Sequence, residues 1–330
     1  MNNGAHYEWQ RVTEAAAFPP RDGAGALVYQ DRMWLIGGWN PDDKVTNPIH
    51  SNCNNEVWNS PDGKDWTLVR PNTHLDNRFD PAFDWEARHT AGYVVHQGKM
   101  WIVGGDPLLG HYQSDVWNSE DGRTWKRVTA EAPWAPRCLH YTAAHDGLIW
   151  VMGGQPVTKR IQGHVPVWTA PTIETHYNDV WNSRDGVNWT RVTEHAPWSP
   201  RGQIGGSAVK DGRLWILGGG TYYTDYFADV WSSADGLRWE RHTEKAPWRP
   251  RQYHDVAVFD GRLWILEGVC KPGGNANDVW FSDDGARWEE LPGTPWAPRH
   301  AASVFVFKGA LWIAAGNHMG RDVWKLERCG

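Results

Sequence analysis

The sequence predicts an all-β fold in which six similar four-stranded units are arranged radially and closed into a ring. Three observations predict it. A segment built on Asp-Val-Trp recurs six times at intervals of 44 to 64 residues, its first tryptophan falling at Trp58, Trp117, Trp181, Trp231, Trp280 and Trp324. Each copy follows two apolar stretches joined by a turn, and their aligned tryptophans are Trp34, Trp101, Trp150, Trp215, Trp264 and Trp312. The last copy stops before its final strand, and the N-terminus supplies the missing piece: Trp9 to Thr13 reads WQRVT, matching WKRVT at Trp125 to Thr129.

Each unit resolves into strands a to d. Strand a ends at a turn such as Gln97-Gly98 or Asp146-Gly147, and strand b ends at a di-glycine such as Gly37-Gly38. Strand c is the Asp-Val-Trp segment. Strand d starts at the tryptophan that follows a second Asp-Gly turn, at Asp62, Asp121, Asp185, Asp235 and Asp284. Short turns of this type join adjacent antiparallel strands, and no stretch has helical period. Four-stranded units repeated radially make a β-propeller. The expected organisation is one domain, 1–330, with blades at about 21–70, 88–129, 137–193, 201–243, 251–291 and 299–328, the last completed by 9–13. Ring closure removes open sheet edges, so the fold requires no obligate oligomer.

Composition fits this reading. Tryptophan numbers 25, glycine 35 and proline 21 in 330 residues, a stock suited to many short strands and tight turns. Four aligned positions hold 23 of the 25 tryptophans, as expected of packing residues, which leaves Trp39 and Trp168 in loops as candidates for ligand contact. A net charge of -6 without a basic run argues against nucleic acid. No apolar segment is long enough for a membrane span. The opening MNNGAHYEWQ has no signal-peptide character, and four dispersed cysteines form no Cys-x-x-Cys pair, so a reducing, cytoplasmic location is expected.

The di-glycines, the later tryptophan and the Pro-Arg-x-x-His starts (Arg137 to His140, Arg251 to His254) resemble kelch-repeat β-propellers over essentially the whole chain. Tryptophan stands in the second strand where that repeat often has tyrosine, and the strand c–d tail is unusual. The Ser-x-Asp…Trp order of the tail is similar to the Asp-box of sialidases but one residue shorter, and is taken as turn chemistry, the serine capping the turn. The resemblance implies a six-bladed kelch fold. It includes bacterial sialic acid mutarotases, galactose oxidase-like architectures and peptide-binding adaptors, and no complete catalytic set of any of these maps onto this chain.

In such a ring the d–a and b–c connections emerge on one face. They are the long, irregular ones, and irregular loops on a regular frame are where function concentrates. Ten of the fifteen histidines map to that face. Counting back from the strand-b tryptophans, the twelfth residues include Asp22, His89, Cys138 and His300, and the tenth include His140 and His254. Residues two apart on a strand share a side, so His89, His140, His254 and His300 are expected around one mouth. They are candidate acid–base residues with Tyr141 and Tyr253, and together a candidate ligand set for a transition metal (Zn, Cu, Fe or Mn). Arg160, Trp168, His176, Tyr223, Trp39 and His111 are candidate substrate-binding residues, and the long blade-three excursion carrying Arg160 and Trp168 is a candidate lid. The recurring Arg21, Arg88, Arg137, Arg201, Arg251 and Arg299 are expected to form ion pairs or carbonyl bonds between blades. The function expected is an isomerase (mutarotase-type) or lyase acting on a small polar or sugar-like substrate. The alternative is a non-catalytic glycan- or peptide-binding module.

Overall fold

A computed structural model describes residues 6–40, 53–74, 77–108, 111–156, 159–162, 165–168, 173–203, 207–222 and 224–329. The described residues are all-β, in a propeller-like arrangement of five blades and one wider, curled sheet. Within a blade the four strands pair antiparallel in chain order, as in Gly25–Tyr29, Arg32–Ile36, Val57–Ser60 and Thr67–Arg70. The wider sheet contains the strands that begin with Ser207–Lys210 and Arg213–Gly220. It is extended to seven strands by Arg251–Gln252, Val269–Cys270 and Gly274–Asn275. Strand His6–Thr13 pairs with Val323–Cys329, placing Trp9 opposite Leu326, so the chain's two ends share one sheet.

The strand-a segments pack against one another in succession all the way round, from Gly25–Tyr29 through to Ser303–Phe307 and back. Just above them, among the described residues, a near-complete circle of backbone hydrogen bonds links successive repeats at five of the six junctions. Thr90 N donates to Gly23 O, Leu139 N to Thr90 O, Gln203 N to Leu139 O, Ala301 N to Tyr253 O, and Gly23 N to Ala301 O. Residues in this circle hold left-handed backbone, φ being 56° at Gly23, 58° at Thr90, 54° at Leu139, 59° at Tyr253 and 54° at Ala301. Such a conformation turns the chain inward at a steric cost for the four that carry a Cβ, which the linked neighbours must hold in place.

Tryptophan and glycine join the blades. A Cβ on the turn glycines Gly63, Gly122, Gly186, Gly236 or Gly285 would lie 2.3–2.5 Å from a strand-b tryptophan ring of the preceding unit, so only glycine fits. At the closing junction Tyr7 meets Trp264 edge-on at 5.0 Å instead. Each of the five Asp-Gly turns is capped as its sequence suggests. The serine Oγ accepts from the glycine N–H, for example Ser60 from Gly63 at 2.8 Å, and the aspartate accepts two further backbone N–H groups.

The six arginines depart from expectation. They pair within a blade rather than between blades. Each guanidinium is fully buried, donates to the carbonyl at the end of its own strand b, and meets the carboxylate that opens strand c: Glu56, Asp115, Asp179, Asp229, Asp278 or Asp322. The same carboxylate accepts the indole N–H of the strand-c tryptophan two residues on, as Asp278 does from Trp280 at 2.9 Å. That arrangement explains the Asp-x-Trp spacing. A buried charge needs a fully satisfied partner, and for each arginine that partner lies in its own repeat.

Candidate functional site

The mouth on the long-loop face is built from paired positions. In the first two blades the residue twelve before the strand-b tryptophan bridges the residue that follows the di-glycine: Asp22 with Trp39, and His89 with Asp106. In the third, Cys138 pairs with Gln155. In the last, His300 and Asn317 are joined by hydrogen bonds, His300 N to Asn317 Oδ1 at 2.8 Å and Asn317 N to His300 O at 3.0 Å. The repeat therefore fixes the backbone while the side chains differ. One arc carries Asp22, Trp39, His89, Asp106, His300 and Asn317. The opposite arc carries buried amides: Gln155 donates to Tyr112 Oη at 2.6 Å, Gln252 to the carbonyls of Gly202 and Gly220, and Gln203 to the His254 carbonyl.

His89 lies between two carboxylates, its Nε2 3.4 Å from Asp22 Oδ1 and its Nδ1 3.5 Å from Asp106 Oδ2, with its side chain 27% exposed. Burial opposes its charge, but Asp106 and then Asp22 outweigh burial and raise its pKa to about 10. It is an imidazolium at neutral pH. Asp106 is itself oriented by Thr90, whose Oγ1 donates at 2.8 Å.

His300 is the opposite case. Burial lowers its pKa to about 4; Asp22 acts to raise it and the charged His89 to lower it. Its tautomer follows from its partners. Asn317 Oδ1 accepts from the His300 backbone N–H and from Asn275 Nδ2 at 3.1 Å, which turns Asn275 Oδ1 toward His300 Nδ1 at 2.8 Å. Nδ1 must therefore carry the proton, leaving Nε2 with a free lone pair. Tyr253 stacks on the His300 ring at 5.4 Å and Trp39 lies 6.3 Å from His89, giving the site two aromatic walls.

The structure divides the four histidines expected around the mouth. His89 and His300 are electrostatic neighbours there, whereas His140 and His254 turn inward beneath the circle. His254 Nε2 bonds the Leu217 carbonyl at 2.9 Å, and His140 faces the equivalent Val103 carbonyl. Burial first, and then Arg137 or Arg251, lowers both to about 3, so they are neutral groups packed between blades. The expected ring of imidazoles does not form. Among the described residues no group of three or more His, Cys, Asp or Glu is placed to hold a metal ion. Tyr141 also departs from expectation: its hydroxyl donates to Gly218 O at 2.8 Å and is buried at a junction between units.

Of the substrate-binding candidates, Trp39 is at the mouth. His111 is on the surface, 3.3 Å from Glu86 and beside Gln113. His176 is buried. Arg160 and Trp168 fall on a two-stranded hairpin, Lys159–Gln162 with Val165–Trp168, made by the blade-three excursion. Tyr223 lies outside the described residues. Sequence reasoning missed Asp106, Asn275 and Asn317 as site residues. Counting forward from the di-glycines, as was done backward from the tryptophans, would have found Asp106 and Asn317. Nothing in the repeat marks Asn275. No protein-family model matches the sequence, and no curated protein matches it.

Proposed function

We propose that the mouth binds a small polar, carbohydrate-like molecule and moves a proton on it, with His300 Nε2 as acceptor and His89 as the positive charge facing the electron density that develops. The observation that carries this reading is the pair of neighbouring imidazoles in opposite charge states, one held cationic by two carboxylates and the other held neutral with a defined tautomer. Groups whose surroundings push their pKa values apart are how one site supplies both members of an acid–base pair. The partly exposed Trp39 beside His89 suits the apolar face of a sugar ring. His300 is a weak base, so the reading favours a proton that is already acidic, as on a hemiacetal hydroxyl or beside a carbonyl. This is mutarotase- or isomerase-type chemistry, and lyase chemistry uses the same groups. We read the ring as six-bladed and of kelch type, the seven-stranded sheet containing the fourth repeat. Four free cysteines agree with a cytoplasmic setting.

A second reading, recognition without catalysis, is favoured by one feature: both N–H groups of His89 already face carboxylates, leaving its charge but no free donor for a ligand. Exchange NMR of anomeric interconversion across a panel of reducing sugars separates the two. Catalysis predicts acceleration by the protein and its loss in His300→Gln with sugar binding retained. Saturable binding without acceleration would support the recognition reading and refute the catalytic one.

A further inference from the structure

Beneath the backbone circle lies a separate cavity of about 190 Å³ on the propeller axis. It is lined by strand-a residues from all around the ring, among them Gly25, Tyr93, His140, Thr142, Ser207 and Asp255. Leu139, Tyr253 and Ala301, from three different units, lie with Tyr112 and Cys138 in one buried apolar cluster. Of the mouth residues, Asp22, His89, Asp106 and His300 do not line this cavity.

Its chemistry is unlike the rest of the repeat. Asp255 occupies a position that is Gly25 and Gly92 in the first two units. Glu267 stands where four other units have the first glycine of the di-glycine and the last has Ala315, and it keeps that glycine's left-handed backbone, φ 52°, with no exposed surface. A buried, charged residue in a conformation that favours glycine is costly on two counts, and packing gives no reason for it. Asp255 Oδ2 and Glu267 Oε1 each lack a donor, while Glu267 Oε2 accepts from Gly268 N at 3.0 Å. The two carboxyls face one another, and their repulsion disfavours the state in which both are ionised. Burial raises the pKa of Asp255, and burial together with Asp255 raises that of Glu267. Arg299 is the cation that acts on the pair, and it is committed to Asp322. The neighbouring imidazoles, His254 and His140, are neutral.

A second observation points to a ligand. The Tyr93 hydroxyl and Thr142 Oγ1, both lining the cavity, have no protein partner. His140, 4% exposed and also lining it, has at least one ring nitrogen without one. These groups stand on the second and third units, across the axis from Asp255 on the fifth. The cavity therefore offers a negative pole on one wall and neutral hydroxyl and imidazole partners on the other.

We propose that this axial cavity is a binding site for a small hydroxylated amine, its ammonium group on Asp255, which Glu267 backs from behind, and its hydroxyls on Tyr93, Thr142 and His140. A bare metal ion fits less well, because the polar groups stand on separate walls rather than in one coordination sphere. Binding favours the pair with a single proton, so an amine that binds below neutral pH releases a proton to solvent.

The test is isothermal titration calorimetry with 2-amino-1,3-propanediol, and with glycerol as its neutral isostere, at pH 6 and pH 8. The amine should bind and glycerol should not. Affinity should rise from pH 6 to pH 8, since burial raises the pair's pKa and the lower pH leaves more of it doubly protonated. Glu267→Gln, and Glu267→Gly as a second variant with the residue that most units carry, should fold and lose at least tenfold in affinity. His300→Gln should bind as the parent does, which separates this site from the mouth. Equal binding of amine and glycerol, no binding of the amine, or unchanged affinity in both Glu267 variants overturns the proposal.

Discussion

Replacing Asp106 by asparagine removes one of the two carboxylates that hold His89 charged while leaving the side chain's shape and an oxygen for Thr90. A pKa raised from 6.5 to about 10 corresponds to about 5 kcal/mol of coupling between the imidazolium and its surroundings, an upper figure because both contacts exceed 3.3 Å. Asp106 contributes the larger share, so Asp106→Asn should lower the His89 pKa by about two units and cost about 2–3 kcal/mol. The sign fixes the pH window. A folded pKa above the unfolded one stabilises fully below pH 6.5, and that stabilisation is lost as pH rises toward 10. The deficit of Asp106→Asn should therefore be greatest near pH 6 and nearly gone at pH 10. The assay is urea unfolding at several pH values, with NMR titration of ¹³C-labelled histidine assigned by His89→Gln. A His89 resonance titrating near pH 6.5 in the parent protein, or a midpoint unmoved by Asp106→Asn, would refute the reasoning.

Acid should unfold the protein through its neutral histidines. His140 and His254, lowered to about 3, each take up a proton on unfolding between about pH 6.5 and 3, so stability falls as pH drops through that window by about 1.4 kcal/mol per unit per histidine; in His254→Gln the slope measured by urea unfolding from pH 6 to 4.5 should be shallower by that amount. Asn275→Asp places a carboxylate on His300 Nδ1 and should raise the His300 pKa by about one to three units, read from its NMR titration, with any pH–rate profile moving the same way. Asp278→Asn leaves the Arg251 guanidinium without its buried counter-charge and should cost about 3–5 kcal/mol in chemical unfolding, whereas Arg287→Ala, which breaks an exposed pair with Asp284, should cost less than about 1 kcal/mol.

The local rules of the chain are legible in its sequence. The tryptophan spacing, the Asp-Gly turns with their serine caps and the match between Trp9 and Trp125 announce strands, turns and the pairing of the two termini, because backbone pairing and turn geometry depend on residues a few positions apart. The same repetition misled where it carried no direction: the six arginines were expected between blades, and only the tertiary structure reveals that each meets the carboxylate before strand c of its own repeat.

Strand alternation led to His89, His140, His254 and His300 being expected on one side, and the structure divides them two and two. Whether each imidazole meets water, a carbonyl or a carboxylate depends on how deep it lies and on residues from other units. The two-residue step that separates His89 from His140 in the alignment carries a side chain from the solvent side of the backbone circle to its buried side. Charge state follows from that surrounding, so only the tertiary structure decided that His89 is held cationic, that His300 is held neutral, and that Glu267, at what looks in the sequence like a lapsed glycine, faces Asp255 in the interior. Hydrogen-bonded repeats are set by near neighbours in the chain, while desolvation and Coulomb interaction are set by neighbours in space.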